Sequence, residues 1–474
     1  MAQTVASRSA AVERMAADWQ LAADLLGGTR AMRAAGKRHL PQWPNEEAKS
    51  YENRLASAVL FPAYSRTVAT LTGKPFSKPL ALSDDAPPQV SEWMQDADRE
   101  GRNLHAFAAD CMQTALGYGL GGILVEYPVV RREPGARPMT QAEEAAQQLR
   151  PYLVQIKAGQ ILGWRTERRN GATVLTQLRL LEVAHEQDGA WGTASIEQVR
   201  VLTPGKWEIW RRPDGKEWQD ATLHDSGVTT LTVIPFIPFY GERCGFMEAR
   251  PPLVEVAHLN VAHWQSASDQ QTVLHVARVP ILFAKMLGDG VALTIGASNG
   301  VNATTPDADM RWVEHSGAAI NAGKEDLAAI EERMRQAGAE LLVIKPGQVT
   351  ATQTGVENAV GMCALQRITL DLQDALNAAL GLVALYARLA AAGTVTIFND
   401  FGVSSLAEAS AELLLKATDS GYVSAETFRG EMRRRGVLGA EVDEDEEVGR
   451  LSEQGPALGR IGDPNLSGDG GGGQ

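Results

Sequence analysis

The sequence predicts an α+β protein in which helices and strands occupy separate stretches of the chain. Apolar residues recur at helical spacing in residues 10–72 and again in 90–119. Residues 151–240 instead alternate β-branched and aromatic residues with polar ones, which is typical of strands. Helical spacing returns after Pro252. This segregation of elements is typical of the α+β class.

The composition indicates a soluble globular protein with no tight hold on nucleic acid. The chain has 474 residues, 44% of them hydrophobic and 22% charged, with a net charge of −13. We expect no membrane span, because no run of eighteen apolar residues occurs. The N-terminus lacks the layout of a signal peptide, so we expect synthesis in the cytoplasm. Phosphate affinity comes from Lys and Arg, so any contact with DNA should be loose.

The first half of the chain is predicted to pass from helices into a sheet. Glycines at 121 and 122 should release a helix into a buried strand at Ile123–Val125. Within the sheet region, Arg212–Gly215 has the Pro and Gly of a hairpin connection.

The second half is predicted to hold two long helical patterns. Proline tolerates a helix start, and no Gly or Pro follows Pro252 until Pro280, which permits a helix of about 26 residues, or roughly 39 Å. Residues 281–322 read as small strands and loops. A helix should then end at Gly338, before a strand at Leu341–Ile344.

The C-terminal region is predicted to be helical and then disordered. Val356–Ala392 is a long, Ala- and Leu-rich helical pattern with few charges. Two shorter helices should follow, at Ser404–Ser420 and from Ser424 to Gly436. An acidic run at 441–447 and a Gly-rich end have no apolar face to bury.

No motif in the sequence points to catalysis, a metal or a cofactor. Gly117–Gly122 resembles a phosphate loop, but here a helix feeds a strand, the reverse of a dinucleotide fingerprint. His258 and His263 are five residues apart and do not share a helix face. The cysteines have neither disulfide nor zinc spacing: Cys111, Cys244 and Cys363. Some paired carboxylates could in principle hold metals for a nuclease, although solvated loop charge is the simpler interpretation: Asp84, Asp85, Asp96 and Asp98.

An ordered series of short motifs runs along the sequence. Its N-terminal part comprises Trp19, Asp24, Leu25, Gly28, Thr29, Met32, Arg33, Gly36, Leu40, Pro41, Glu46, Tyr51, Arg54, Gly73, Phe76, Lys78 and Pro79. Its later parts are Gly117–Pro128, Pro151–Trp164, Leu253–Asp269, Trp312–Gly317 and Asn399–Phe401. Together they span most of the chain, and the series resembles the portal proteins of tailed double-stranded DNA phages, also called head-to-tail connectors.

The resemblance implies a portal-type fold with an α/β wing, a helical stem, a small inserted clip, a long tunnel helix and a helical crown. The parts it implies are a wing at 1–250, a first stem helix at 251–278, a clip at 279–322, a second stem helix at 323–340 (Lys324–Ala337 by pattern), a wing strand with tunnel loop and tunnel helix at 341–402, a crown at 403–450 and a disordered tail at 451–474.

The function it implies is a ring, typically a dodecamer, at the portal vertex of the capsid in the virion, made in the cytoplasm of a bacterial host. DNA would enter through the ring, driven by terminase, be retained, and leave at ejection, and the tail would attach outside. The implied partners are the terminase large subunit, a head–tail adaptor protein, the major capsid and scaffolding proteins, and double-stranded DNA that slides non-specifically.

A conduit for DNA should have few cations on its wall, because each Lys or Arg can bind a phosphate and slow the polymer. The acidic balance of this chain therefore suits a channel. The polar loop 346–358 is the predicted constriction, through Gln348, Thr350, Thr352, Gln353, Thr354 and Asn358. Channel-facing candidates on the stem are Lys324, Arg333 and Arg335.

Two other classes stay open at the level of sequence. One is a metal-dependent phage nuclease or other phage enzyme that uses scattered carboxylates. The other is a capsid or tail structural protein without a channel, which would assemble with a different symmetry.

Overall fold

The computed structural model describes residues 3–129, 137, 139–278, 281–285, 307, 309–313, 317–342 and 362–399, together with single positions at 415, 418, 424 and 428. The chain divides into two compact units, Met1–Asn399 and Asp400–Gln474, and the described ranges belong to the first. The predicted tunnel loop, crown, tail and most of the clip lie outside the described residues.

The described residues combine helices and sheets, which confirms the mixed α and β class. The α-helices are α1 (Ala10–Leu26), α2 (Gly28–Ala35), α3 (Ala48–Ser57), α4 (Ala63–Gly73), α5 (Pro88–Trp93), α6 (Leu104–Tyr118), α7 (Gln141–Ala146), α8 (Val254–Ala277), α9 (Ala318–Ala339) and α10 (Ala364–Ala387). Short 3-10 turns lie at Gly36–Arg38, Met94–Asp96, Ala158–Gln160, Trp218–Asp220 and Glu340–Leu342.

In the described ranges the strands form five sheets. They are β1 (Ala81–Leu82), β2 (Leu120–Glu126), β3 (Tyr152–Lys157), β4 (Ile161–Arg169), β5 (Ala172–Asp188), β6 (Gly192–Thr203), β7 (Lys206–Arg211), β8 (Thr222–Val228), β9 (Phe236–Tyr240), β10 (Glu242–Gly245), β11 (Glu248–Arg250), β12 (Ile281–Lys285), β13 (Asp309–Val313) and β14 (Val395–Thr396). The larger sheets have the orders β3-β2-β9 and β4-β5-β6-β7-β8, and the pairs are β1-β14, β10-β11 and β12-β13. All strand pairs are antiparallel.

The main core lies where α6 and α10 cover the central strand β2. Every residue of β2 except Glu126 is buried, as its unbroken apolar run predicts. Helix α10 packs on β9, β2 and α6. It is the one helix of the described part that is long and apolar enough to cross a membrane by length and composition, and its packing is that of a core helix.

The glycines between α6 and β2 serve close packing, which explains the motif that resembles a phosphate loop. Gly119 ends α6 in the left-handed region, at φ 79°, where a side chain would also overlap the backbone of Arg250. A Cβ at Gly121 would overlap the ring of Phe239, and one at Gly122 the ring of Phe236. Glycine is therefore required by both backbone and neighbours.

The hairpin predicted near Arg212–Gly215 joins β7 to β8, which pair from Lys206 with Val228 to Arg211 with Thr222. The connection is longer than a tight turn, because it includes the 3-10 turn at Trp218–Asp220.

Two predictions about helix α9 need correction. The helix predicted at Lys324–Ala337, within 323–340, begins at Ala318 and runs to Ala339, so it takes five residues from the range predicted for the clip. Gly323 lies inside the helix, where a Cβ would overlap the side chain of Gln270 on α8. Gly338 is not a C-terminal cap; it is buried within α9, and a Cβ there would lie 3.0 Å from Thr67 Cγ2.

The strand predicted at Leu341–Ile344 is also wrong over its described part. Leu341 and Leu342 belong to a 3-10 turn that continues α9. The helix predicted at Val356–Ala392 spans only Ala364–Ala387 among the described residues. A left-handed Arg388, at φ 55°, ends it.

Candidate functional site

Helices α8 and α9 form an antiparallel hairpin, which is the candidate functional element. Gln270 Nε2 donates to the carbonyl of Ile320 at 2.9 Å, and Ser266 Oγ donates to Asp326 Oδ2 at 3.0 Å. From the first contact to the second, the residue number falls along α8 from 270 to 266 and rises along α9 from 320 to 326. The two helices therefore run in opposite directions. A helix of 24 residues is about 36 Å long at 1.5 Å per residue.

The strands β12 and β13 lie between the two helices in sequence and pair as a ribbon. Their register runs from Ile281 with Val313 to Lys285 with Asp309. Phe283 and Met310 on this ribbon are each 42% exposed. The order of elements is therefore helix, β-ribbon, helix.

His263 is buried between α8, α9 and the segment before α4. Its Nε2 lies 3.4 Å from Glu331 Oε1 on α9, and its ring is 5.1 Å from that of Phe61. Its Nδ1 has no hydrogen-bond partner among the described atoms. His258 is exposed, so the two histidines do not form a joint site, as their spacing predicts.

The stretch of α8 that packs on the N-terminal region, residues 260–269, is called the base of the hairpin. It is fixed by a buried ion pair from that region. Arg54 donates from Nε to Glu46 Oε1 at 2.7 Å and from Nη2 to Glu46 Oε2 at 2.8 Å. The two side chains are only 5% and 4% exposed. The hydrogen bonds from Arg54 lower the pKa of Glu46, and those with Glu46 raise the pKa of Arg54.

Arg54 also reaches α8 directly. Its Nη1 lies 3.8 Å from Asp269 Oδ1, and its guanidinium stacks 4.2 Å from the Trp43 ring. Burial raises the pKa of Asp269, against the opposing effect of Arg54. Arg54 thus links Glu46, in the N-terminal region, to Asp269 on the first helix of the hairpin.

A second polar cluster joins α1 to the same helix. Asp24 Oδ2 accepts hydrogen bonds from Arg38 at 2.7 Å and lies 2.8 Å from His39 Nε2. Gln265 on α8 donates to the His39 carbonyl at 2.9 Å. The N-terminal helices are therefore tied to the hairpin by hydrogen bonds as well as by packing.

Asn260 completes the base. It is fully buried, accepts from the backbone N–H of Tyr64 at 2.9 Å and donates to the Phe61 carbonyl at 2.9 Å. These bonds satisfy free backbone groups at the start of α4. We call Asp24, His39, Glu46, Arg54 and Asn260 the clamp.

Three clamp residues carried the sequence resemblance, but their partnership was not predicted. Asp24, Glu46 and Arg54 are separate members of the N-terminal motif series, with no contact predicted between them. The spacing of eight residues between Glu46 and Arg54 is not a helical pair spacing, so sequence offers no local signal for their contact.

The predicted stem residues all lie on α9 and are exposed. Arg335 pairs with Glu332 and lies 3.9 Å from Glu331 on the same helix. Lys324 and Arg333 make no ion pair with any described residue. Nothing in the described range brings these three cations together, and the tunnel-loop residues lie outside it: Gln348, Thr350, Thr352, Gln353, Thr354 and Asn358.

The hairpin carries more negative than positive charge. Helices α8 and α9 contain three Lys or Arg and six Asp or Glu. On an elongated element with this balance, phosphate groups meet few cations to bind.

The carboxylates considered for a nuclease are not gathered together. Asp96 Oδ2 accepts from Arg150 at 2.9 Å, and Asp98 Oδ2 from Arg102 at 2.5 Å. In the described ranges, no group of three or more His, Cys, Asp or Glu could hold a metal ion. Cys111 and Cys363 are buried, and burial raises the pKa of the Cys111 thiol.

Comparison with known proteins locates the hairpin in one domain and gives distant structural relatives. A domain of unknown function (DUF4055) matches residues 252–387, from the start of α8 to the end of α10. No curated protein matches the chain.

Three solved chains that are similar to this one come from gene transfer agent (GTA) particles. A chain from the virion of a native particle is 14% identical with a TM-score of 0.40, covering 78% of this chain and 88% of that one. A chain from the neck of an empty particle, computed with C6 symmetry, is 14% identical at 0.41, covering 79% and 90%. A chain from the neck of a native particle, computed with C12 symmetry, is 15% identical at 0.41, covering 80% and 89%. Likeness at this distance assigns no function to the chain.

Proposed function

We propose that the chain is the subunit of a ring-shaped portal channel of a tailed double-stranded DNA phage. Copies of the chain would surround the path of the genome at one vertex of the capsid. Terminase would drive DNA through the ring during packaging, and the ring would retain the genome and pass it at ejection. The proposal gives the chain no catalytic role.

The observation that carries the proposal is the hairpin of α8 and α9 with the β12–β13 ribbon between them. The resemblance implies a stem of two helices with a clip inserted, and the described elements have this order. A hairpin about 36 Å long, tied to the body by the clamp, is a suitable strut for the wall of a channel. Its excess of carboxylates suits a wall past which DNA must slide.

The partners implied by the resemblance belong to this proposal. They are the terminase large subunit, a head–tail adaptor protein, the major capsid and scaffolding proteins, and DNA held non-specifically. A dodecamer in the virion is the proposed assembly. Each subunit would present different surfaces to its two neighbours, and such heterologous contacts close into a ring when the rotation fits.

The polar loop 346–358 stays a prediction as the constriction that contacts DNA. The chain leaves the hairpin at Leu342 and enters α10 after Met362, so the loop can be shortened between two defined points. Shortening it should lower packaging or genome retention while rings still assemble. An unchanged yield of infectious particles would contradict the prediction.

Negative-stain electron microscopy of the purified chain tests the proposal. Class averages should show closed rings with a central hole. Monomers at every concentration would contradict a channel and would favour the enzyme class, which a metal-dependent nuclease assay would then examine. Assemblies without a central hole would favour a structural protein without a channel.

A further inference from the structure

The strands β5 and β6 extend beyond the sheet as a two-stranded arm, residues 183–197. Strand β4 pairs with β5 only as far as Leu180, and β7 pairs with β6 only from Gln198 onward. The six pairs from Val183 with Glu197 to Asp188 with Gly192 have no strand beside them in the described part of the chain. At about 3.3 Å per residue, the arm projects roughly 20 Å.

An isolated two-stranded arm is unusual in a stable protein. Two strands alone are at best marginally stable in water, and both edges leave backbone groups unpaired. Two ion pairs join the arm to the rest of the sheet: Arg211 Nη1 donates to Glu186 at 2.6 Å and Arg212 Nη2 donates to Glu197 at 2.9 Å. No further hydrogen bond or ion pair joins the arm to another element in the described part of the chain.

The tip of the arm presents a large aromatic side chain to solvent. Trp191 lies in the turn between Asp188 and Gly192 and is 99% exposed. Residues 183–197 contain three carboxylates and no Lys or Arg. Tryptophan is among the residues that contribute most to protein interfaces when they become buried. Because Glu186 and Glu197 are paired with Arg211 and Arg212, Asp188 is the carboxylate of the arm that has no ion pair among the described residues. It lies beside the apolar anchor at the tip.

A groove of opposite character lies on the same sheet, near its edge strand β4. It is a cavity of about 490 Å³ between residues 3–10 and the sheet. It is lined by the cations Arg8, Arg165 and Arg179 and by the aromatic ring of Trp210. Small-molecule pockets have similar volumes.

The cations of the groove have no carboxylate partner among the described residues. Arg8 and Arg165 are exposed, and their side chains make no hydrogen bond or ion pair there. Arg179 donates to the carbonyl of Val5 at 2.6 Å, a neutral acceptor. Burial lowers the pKa of Arg179, and the nearby Arg165 cation lowers it further.

The one carboxylate lining the groove is already engaged. Glu208 accepts from Lys206 at 2.5 Å and from the Trp210 indole at 3.0 Å. Space for Arg179 depends on Gly163, since a Cβ there would lie 2.7 Å from Arg179 Nη2. The groove thus holds cations and the Trp210 ring, which suit an anionic and aromatic partner.

We propose that the arm of one copy of the chain packs in this groove of a second copy, with Trp191 of the first between Trp210 and the guanidinium of Arg165 of the second. Asp188 would pair with Arg165 or Arg179. The two surfaces differ, so the contact is heterologous and can propagate around a ring. The inference rests on the proposed ring and names one contact between neighbours in it.

Sedimentation velocity over a range of concentrations tests the contact with the full-length chain. Trp191→Ala and Arg165→Glu should each raise the concentration of half-association at least ~30-fold, the effect expected of a main anchor residue. Leu223→Ala is the matched control, because Leu223 is 49% exposed on β8 of the same sheet and has no place in the contact. Far-ultraviolet circular dichroism verifies that each variant is folded.

A mixture of the two variants gives the sharper result. Trp191→Ala copies keep the groove and Arg165→Glu copies keep the arm, so the contact should form once between unlike copies and yield pairs that neither variant gives alone. Rings of normal stability in either variant, or no pairs in the mixture, would overturn the contact but leave the proposed channel standing. A wild-type chain that stays monomeric at all concentrations would overturn both.

Discussion

The base of the α8–α9 hairpin and the β5–β6 arm are built in opposite ways. At the base, polar side chains are buried and each clamp residue has a partner, as Arg54 and Asn260 illustrate. The arm has an exposed tryptophan and two unpaired edges. The base is therefore fixed by this chain alone, whereas the arm has the surface of an element completed by another molecule.

Among changes in the clamp and the arm, the largest effect is expected from removing one partner of the clamp's ion pair. Arg54→Met should lower the free energy of unfolding by about 3 kcal/mol, because it leaves Glu46 buried without its partner. The control is Arg14→Met, since Arg14 and Glu248 form an exposed pair at 3.0 Å and such pairs contribute about 0–1 kcal/mol. Urea unfolding at fixed protein concentration measures both. Equal losses would mean that the clamp does not stabilise the base.

Two glycines with a left-handed backbone conformation extend the comparison between the packed body of the protein and the arm. Gly119 lies beside the central strand and Gly189 in the turn of the arm, at φ 79° and φ 66°. Replacement by Ala strains both backbones, but only at position 119 does the new side chain overlap a neighbour. Gly119→Ala should therefore cost about 1–3 kcal/mol more than Gly189→Ala in thermal or urea unfolding. Similar costs would contradict the close packing described for Gly119.

The stability of the base should depend on pH through Glu46. Its pKa in the folded chain is lowered from its ordinary value of 4.5, chiefly by the hydrogen bond from Arg54. Its contribution is therefore present above the unfolded pKa and is lost as the pH falls through the folded pKa. Urea midpoints measured from pH 6 downward should fall more steeply in the wild type than in Glu46→Gln. Parallel curves would show that Glu46 is not the source of the pH dependence of stability.

The smallest effect is expected at the tip of the arm. Trp191→Ala should change the stability of the separated subunit by less than about 0.5 kcal/mol, since the side chain contacts solvent. Trp264 on α8 is fully buried, and Trp264→Ala should cost about 3–5 kcal/mol. Thermal unfolding at a concentration that keeps the chain monomeric compares the two. A large loss at Trp191 would mean that the tip packs on its own subunit.

The sequence predicted elements well where local physics decides them. Pro251 and Pro252 marked the start of α8, and the unbroken apolar run marked the buried strand β2. Prediction from the sequence failed where a contact with residues distant in the chain determines the local structure. Gly338 looks like a helix end in the sequence, but it lies inside α9, where Thr67 of α4 approaches closely.

The site was predictable only as an ordered set of elements. The two helices and the strands between them were predicted from the absence of Gly and Pro and from glycine spacing, whereas their pairing as a stem was implied by the resemblance alone. The clamp did not, because Arg54 contacts residues eight and more than two hundred positions away. The length of the arm could not be predicted either. The alternation along β5 and β6 does not reveal where the strands beside them, β4 and β7, end.

A cryo-electron-microscopy reconstruction of the assembled chain tests the central claim most directly. The account predicts a closed ring in which the α8–α9 hairpins surround the central hole and the clamps hold their bases. An assembly with the hairpins on its outer surface, or one without a hole, would contradict the claim that this chain forms the wall of a DNA channel.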